Sequence, residues 1–383
     1  MQKMKQKKIK IILLSILIPL FSFLLIEKNF LSSFSFKSSP DKSLRALNSV
    51  VELIKNHYVE EPNPEKTMEG AFKGLFDSLD VLSAYLDEDS ITKFSQRKDP
   101  DLRDCGLILY KRYGSFPVVI GLRENSPAEK KGIKIGEYVS EIDNRSTLMM
   151  SMLEANMFLK DKEKNSINLE ILGTNKNKKL IIERKKLFKE NFSYSPLEQT
   201  SGKLKIFRLY PPCISKIEED ILPQLKSKKK PLILDLRNCY EGEIKEAQRL
   251  INLFLTEKKI GLFKKKQEST EILSCPKNAE LEKLPLIIWT NRATMGPGEL
   301  VAATLKKLRK ARVIGLHTLG LVAKQDFIPL DNRSGVLLTS SVFYFGSGEK
   351  LWQEGIKPDI KISSNNQSSA NYLKKTHDIL VKK

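Results

Sequence analysis

The sequence predicts a multidomain α/β protein: an apolar amino-terminal segment, a helical lead-in, a small β-rich domain and a larger α/β core. Three observations carry that expectation. Residues 11–26, IILLSILIPLFSFLLI, hold no charge and follow five lysines within the first ten residues. Residues 105–185 place short β-type runs, GLILY, PVVIGL, YVSEI, SINLEIL and KLIIER, between turn signals. From about 187 to 362, apolar strand-like runs alternate with helical stretches, as in a sheet covered by helices.

The amino-terminal segment comes first. Positive residues ahead of an apolar run direct its amino end inward. Sixteen residues are short for a spanning helix, and Phe30, Leu31, Phe34 and Phe36 prolong the interfacial contact. The best small-x-small cleavage site, Ser33-Phe34-Ser35, is a poor one. Residues 1–27 are therefore expected to be an uncleaved signal anchor. The protein would be membrane-anchored through residues 11–26 with its bulk exported, on the periplasmic or extracytoplasmic face of a bacterial inner membrane.

Composition excludes several classes. The 383 residues suffice for two or three domains. Lys and Arg number 66 against 46 Asp and Glu, a formal net charge of +20. The lysines are scattered, with no zinc-finger spacing and no aromatic-basic motif. The excess reads as a solvated surface, and no nucleic acid partner is expected. Cys105, Cys213, Cys239 and Cys275 form no CxxC, so no metal site is expected. No phosphate loop is present, and no cofactor is implied.

Residues 28–98 read as a linker and helical lead-in. DKSLRALNSVVELIKNHYVE places Leu44, Leu47, Val50, Val51 and Ile54 on one helical face. Further helices are expected at TMEGAFKGLFDSL and near EDSITKF. Residues 99–186 form the small domain, with ENSPAEKKGIKIGEYVSEIDN and a helical MSMLEANMFLK among its strands. Residues 187–362 form the core, alternating KIFRLY, a helix through EEDILPQLK, PLILDLR, the helix EIKEAQRLINLF, LPLIIWT, another helix and ARVIGL. DFIPL and GVLLTSSVFYF close it, and residues 363–383 are a polar tail with a weak helix.

The stretch NRATMGPGEL follows the strand LPLIIWT and opens a helix with Leu300, Val301, Leu305 and Leu308 at helical spacing. Pro297 suits the first helical position. A sharp strand-to-helix turn is where many hydrolases hold a nucleophile. Here the tip is Met295-Gly296-Pro297-Gly298, with no Ser or Cys in it.

Several stretches, in order over residues 44–362, resemble the carboxyl-terminal processing (tail-specific) proteases. ENSPAEKKGIKIGEYVSEIDNRS resembles part of that family's PDZ domain. PLILDLRNCYEG is similar to its DLRNNPGG strand-loop, and ARVIGLHTLGLVAKQDFIPL to the stretch that carries its catalytic Lys. LTSSVFYFGSGEKLWQEGIKPDI, HYVE and GAFKGLFDSLDVLSAYL resemble further family segments. The resemblance implies a PDZ-like β-rich domain followed by a crotonase/Clp-protease-like α/β core. It also implies a serine-type endopeptidase in which a Ser nucleophile is activated by a Lys that a Gln orients.

Carried over position by position, the family's nucleophile falls on Gly296, its base on Leu321 and its orienting Gln on Gln325, with Glu299 matching the Glu of its serine run. The oxyanion-region loop Pro-Gly-Gly becomes Tyr240-Glu241-Gly242, leaving Gly242. Gly has no side chain to attack a carbonyl, and Leu accepts no proton. The expectation is a pseudoprotease without confident catalytic residues. A relocated dyad of Thr294 and Lys324 is the alternative for an active endopeptidase. A structural envelope protein that binds no peptide is the third reading. His317 reads as a surface or packed residue, and Asp235 with Arg237 as a structural pair.

PDZ domains add a peptide strand to a sheet edge and hold its carboxylate with backbone N–H groups. The resemblance places that loop at Gly106, Leu107, Ile108 and Leu109, with Leu153 and Met157 on the facing helix, as peptide-binding residues. Expected partners are protein carboxyl-terminal tails and an active protease relative.

Overall fold

The computed structural model describes residues 40–381 apart from 113, 174–176, 188–189, 267–269, 276, 278, 331–332 and 365. The expected anchor lies outside the described residues. No helix among the described residues is long and apolar enough to cross a membrane. The chain divides into two compact units, residues 1–67 and 68–383. Helix α1 (Pro40–His57) belongs to the first, and α2 (Pro64–Asp77) begins there and runs into the second.

In the second unit, β1 (Ala84–Leu86) leads to α3 (Glu88–Gln96). Asp87 caps α3 by accepting the Ser90 N–H at 2.8 Å, satisfying a donor the first turn leaves free. A small antiparallel sheet follows. Its elements are β2 (Leu107–Tyr110), β3 (Val118–Leu122), α4 (Pro127–Lys130), β4 (Tyr138–Ile142), β5 (Arg145–Ser146), α5 (Met152–Phe158), β6 (Ser166–Leu172) and β7 (Lys178–Glu183). The strand order is β2-β3-β4-β6-β7, with β5 beside β4. Period-two burial sets its inner face: Ile167, Leu169 and Ile171 are buried while Ser166 and Asn168 are exposed. Helix α5 starts with a capping box, Ser151 and Glu154 each bonding the other's backbone N–H.

The larger part continues with β8 (Phe192–Ser195), β9 (Lys203–Ile206), α6 (Cys213–Asp220), α7 (Leu222–Lys226), β10 (Leu232–Asp235) and α8 (Ile244–Phe254). After these come β11 (Glu257–Lys265), β12 (Thr270–Cys275), β13 (Leu286–Thr290), α9 (Gly296–Arg309) and β14 (Arg312–Gly315). The chain ends with β15 (Ala323–Pro329), β16 (Gly335–Phe345), β17 (Ile360–Lys361) and α10 (Ser369–Val381).

One sheet runs β17-β14-β13-β10-β9-β8, parallel except where β8 pairs β9. Its central strands β10 and β13 are buried at every position, because helices cover both faces. Leu250 of α8 and Leu300 and Leu305 of α9 pack on one face. Tyr372 and Ile379 of α10 pack on the other, against Ile233, Ile287 and Trp289. A second, antiparallel sheet joins β1, β16, β11 and β12, with β15 also paired to β16. The hairpin β11–β12 is absent from the sequence reading.

Candidate functional site

The strand-to-helix turn after β13 is held by side chains from both of its neighbours. The Thr294 hydroxyl donates to the Leu236 carbonyl at 2.9 Å and accepts the Asn291 N–H at 3.0 Å. The Asn291 amide in turn accepts the Asn238 N–H at 3.0 Å and donates to the Asn238 side chain at 2.8 Å. The turn ends at Gly296, with φ +51, a left-handed conformation that favours glycine. A Cβ placed there would lie 3.6 Å from the Tyr240 carbonyl and 3.9 Å from that of Leu321. The turn, the Tyr240 loop and the Leu321 loop therefore meet at this point.

Glu299, in the first turn of α9, fixes one of those loops. Its buried carboxylate accepts the N–H groups of Gly320 and Leu321, both at 2.7 Å. Burial pushes this carboxyl up to about 7, although hydrogen bonds from Thr318, Gly320 and Leu321 work against the rise. The loop so held turns Leu321 into an apolar cluster with Ile108, Ile120, Met152, Met295 and Trp352. The position expected to carry a base is thus 5% exposed and packed against the small domain.

A cavity of about 640 Å³ opens over this turn. Gly296, Pro297, Leu321, Gln325 and the loop Tyr240-Glu241-Gly242 line it, and Leu153, Asn156 and Met157 of α5 form part of its wall. Leu209 pairs in parallel with Gly242, bonding Glu241 and Glu243 on either side. That pattern turns the Gly242 N–H away from Leu209. Pro297, directly after the position expected from the sequence to carry a nucleophile, has no N–H at all. Sequence reasoning placed Pro297 only as a helix starter. The signal was in plain view, since an oxyanion hole commonly uses the N–H after the nucleophile.

The charges in the cavity are mostly paired. Burial would raise the Glu241 carboxyl, but the Lys160 ammonium and the Arg123 guanidinium hold it down at about 2. Burial would likewise lower the Lys160 ammonium, yet Glu241, to which it is bonded, raises it above the ordinary lysine range. A lysine held so firmly protonated is no general base.

The remaining candidates are dispersed. Gln325 donates to the Leu82 carbonyl at 2.6 Å, and a register shift between Lys324 and Gln325 interrupts β15 where it pairs with β16. Lys324 pairs with Glu271 and lies 4.8 Å from the centre of the Phe263 ring. Thr294 and Lys324 are thus engaged by different partners and not by each other. His317 is exposed and bonds the Glu354 carbonyl at 2.8 Å.

In the small domain the expected peptide-binding loop is closed by the protein's own groups. Leu107 and Leu109 are buried in its own core, and Ile108 points into the cluster around Leu321. The Gly106 N–H, expected to face a ligand carboxylate, donates to Asp104 Oδ1 at 2.8 Å. The Asn156 amide accepts the Leu109 N–H at 3.0 Å and donates to the Leu109 carbonyl at 2.8 Å. The backbone groups an added strand needs at that point are therefore already satisfied. Of the expected peptide-binding residues, Leu153 and Met157 line the cavity and the other four do not.

Residues 214–362 match the family model described as Peptidase family S41. The chain carries a peptidase family S41 domain. It is 27% identical over 340 residues to the carboxy-terminal processing protease CtpA of Bacillus subtilis (strain 168), covering 88% of this chain and 72% of that one. It is 23% identical over 342 residues to a probable CtpA-like serine protease of Staphylococcus aureus (strain MRSA252), covering 88% and 68%. Its fold is similar to that of a photosystem II D1 C-terminal processing protease, with TM-score 0.67 and 18% identity over 82% of this chain and 86% of the other. The S41 domain includes Gly296, Leu321 and Gln325, and its strand-to-helix turn forms the floor of the cavity.

Proposed function

We propose that this S41 relative binds protein carboxyl-terminal tails without cutting them. One observation carries the reading: Gly296, Pro297 and Leu321 line a single open cavity, and none of them supplies what its place requires. Gly296 offers no nucleophile, Leu321 no base, and Pro297 no N–H to an oxyanion. The space is kept while the chemistry is not, which suits a protein that holds polypeptide. The small domain is PDZ-like, spans residues 99–186, and contributes through α5. Asn156 has to be displaced before a strand adds to β2. The lysine-flanked run at 11–26 supports tethering of this binder at the extracytoplasmic face of a membrane.

The test is to incubate the full-length chain with an unfolded protein that ends in apolar residues, following cleavage by mass spectrometry and association by fluorescence anisotropy. The expected outcome is association with the substrate left intact. Cleavage that stops with Thr294→Ala or Lys324→Ala would mean a relocated dyad and an active endopeptidase. Absence of both cleavage and association would leave a structural protein with no tail-binding role.

A further inference from the structure

If tails bind here, their terminal carboxylate needs a cationic or N–H-rich site, and the Gly106 loop does not provide one. The Gly106 N–H is bonded to Asp104, so a carboxylate of the protein itself stands where a ligand's would. The loop is also packed tightly against Ser126. A Cβ on Gly106 would lie 2.2 Å from the Ser126 side chain. The cation beside this loop, Arg123, is already engaged, with its Nε 3.9 Å from the Asp104 carboxylate.

The cavity itself holds one cation of a different kind. Four lysines on its wall each have a carboxylate partner. Lys93 meets Asp161 at 3.2 Å and Lys98 meets Glu243 at 2.6 Å, while Lys160 pairs with Glu241 and Lys324 with Glu271. Arg97, just after α3, makes no ion pair among the described residues. Its guanidinium carbon lies over Phe94, 3.6 Å from the ring centre, and Nη1 donates to the Phe94 carbonyl at 2.6 Å. Phe94 is itself braced by Phe327 of β15, with ring centres 5.6 Å apart. The arginine is thus oriented before any ligand arrives, with Nε and Nη2 left to donate. Of the carboxylates in the cavity wall, Glu243 acts on Arg97 through space but is bonded to Lys98, and Asp326 forms no ion pair with Arg97 among the described residues.

We infer that Arg97 is the receptor for the chain-terminal carboxylate of a bound tail. A guanidinium presents parallel N–H groups that match a carboxylate in two-point contact. Stacking on Phe94 lowers the entropy lost on binding, and half-burial in the cavity wall strengthens the attraction. The lysines are less suited, since each already neutralises a neighbour. This assignment rests on the tail-binding reading and locates its anchor in the cleft, away from the Gly106 loop.

The test uses the full-length chain and a fluorescein-labelled peptide with apolar carboxyl-terminal residues, prepared as free acid and as amide. Anisotropy titrations should show the acid binding about tenfold more tightly than the amide. Arg97→Gln should bring the acid down to the affinity of the amide and leave the amide unchanged, and Arg97→Lys should fall between. Unchanged thermal unfolding of both variants would show that they fold. Equal binding of acid and amide by the unaltered chain overturns the assignment but leaves tail binding intact. So does a preference for acid that survives Arg97→Gln, or a loss in that variant shared equally by both peptides. Failure of both peptides to bind the unaltered chain overturns the tail-binding reading, and the assignment with it.

Discussion

Glu299 accepts the Leu321 N–H at 2.7 Å, tying the helix that opens at Gly296 to the loop that carries Leu321. The bond is made by a fully buried carboxyl whose pKa stands at about 7, against 4.5 for the free side chain. Burial disfavours its charged form more than the two loop N–H groups favour it. The folded state therefore holds this proton more tightly than the unfolded one. Stability falls as pH rises from about 4.5 to 7 and levels off above that, by about 3 kcal/mol from this group. Glu299→Gln removes the titration. Urea unfolding of both proteins at several pH values should show the unaltered chain losing stability relative to the variant across that window. Parallel curves would mean that Glu299 does not titrate differently in the two states.

On the proposed reading of a chain that does not cut, gaining cleavage should take three substitutions. Gly296→Ser has room for its Cβ, whose nearest neighbours are carbonyl oxygens at 3.6 and 3.9 Å, but the φ of +51 there strains any side chain and lowers stability. Leu321→Lys puts an amine in an apolar cluster, where desolvation lowers its pKa toward that of a base. Neither change restores a donor at Pro297. One absent oxyanion donor typically costs about 100- to 1,000-fold in rate. The double variant should therefore cut at or below detection, and adding Pro297→Ala should raise the rate by about that factor. Mass spectrometry of a tail peptide measures it, and equal rates for the double and triple variants would clear Pro297 of any role.

Much of this arrangement was legible in the sequence, for identifiable reasons. Leu232–Leu234 and Leu286–Trp289 are unbroken apolar runs because helices cover both faces of their sheet. Gly-Pro-Gly announced the turn that follows. The hairpin β11–β12 was hidden because lysines interrupt its pattern, although Ile260, Phe263 and Leu273 are buried. Helix α10 was legible only as a weak helix in a polar tail, because its inward face alternates Tyr372, Thr376 and Ile379 and a polar residue breaks the apolar stripe. Ile108 in place of a second glycine hinted at a less open Gly106 loop, but the bond that closes it had no signal. Asp104 is an ordinary residue two positions away until the fold turns its carboxylate onto the loop.

The pair Lys160 and Glu241 joins the small domain to the cavity wall, and removing half of it should be worse than removing both. Glu241→Gln leaves the Lys160 ammonium largely buried without a counter-charge. Breaking such a pair costs about 3–5 kcal/mol, and residual exposure of 16% and 14% in the two side chains keeps this case near the lower figure. Replacing both, with Lys160→Met beside Glu241→Leu, should recover most of the loss, because neither charge then has to be desolvated. Chemical denaturation of the two single variants and the double variant tests this. Additive losses would mean that the two charges act independently.

Helix α10 should be integral to the S41 fold. Tyr372 is fully buried beneath the sheet, and its hydroxyl donates to the Thr290 carbonyl at 2.7 Å, at the end of the strand that leads into the turn. Its ring lies 5.2 Å from that of Trp289, whose indole N–H donates to Thr376 at 3.0 Å. The guanidinium of Arg237 stacks over the same ring at 4.5 Å while paired with Asp235 at 2.6 Å. Tyr372→Phe keeps the packing and removes one bond, at about 1 kcal/mol. Tyr372→Ala also opens a cavity beneath β13, at about 3–5 kcal/mol. Because β13 positions Gly296, the second variant should also weaken tail binding in proportion to the fraction unfolded. Calorimetry on the two variants separates the bond from the packing. Equal, small losses would show that α10 is an appendage that the sheet does not need.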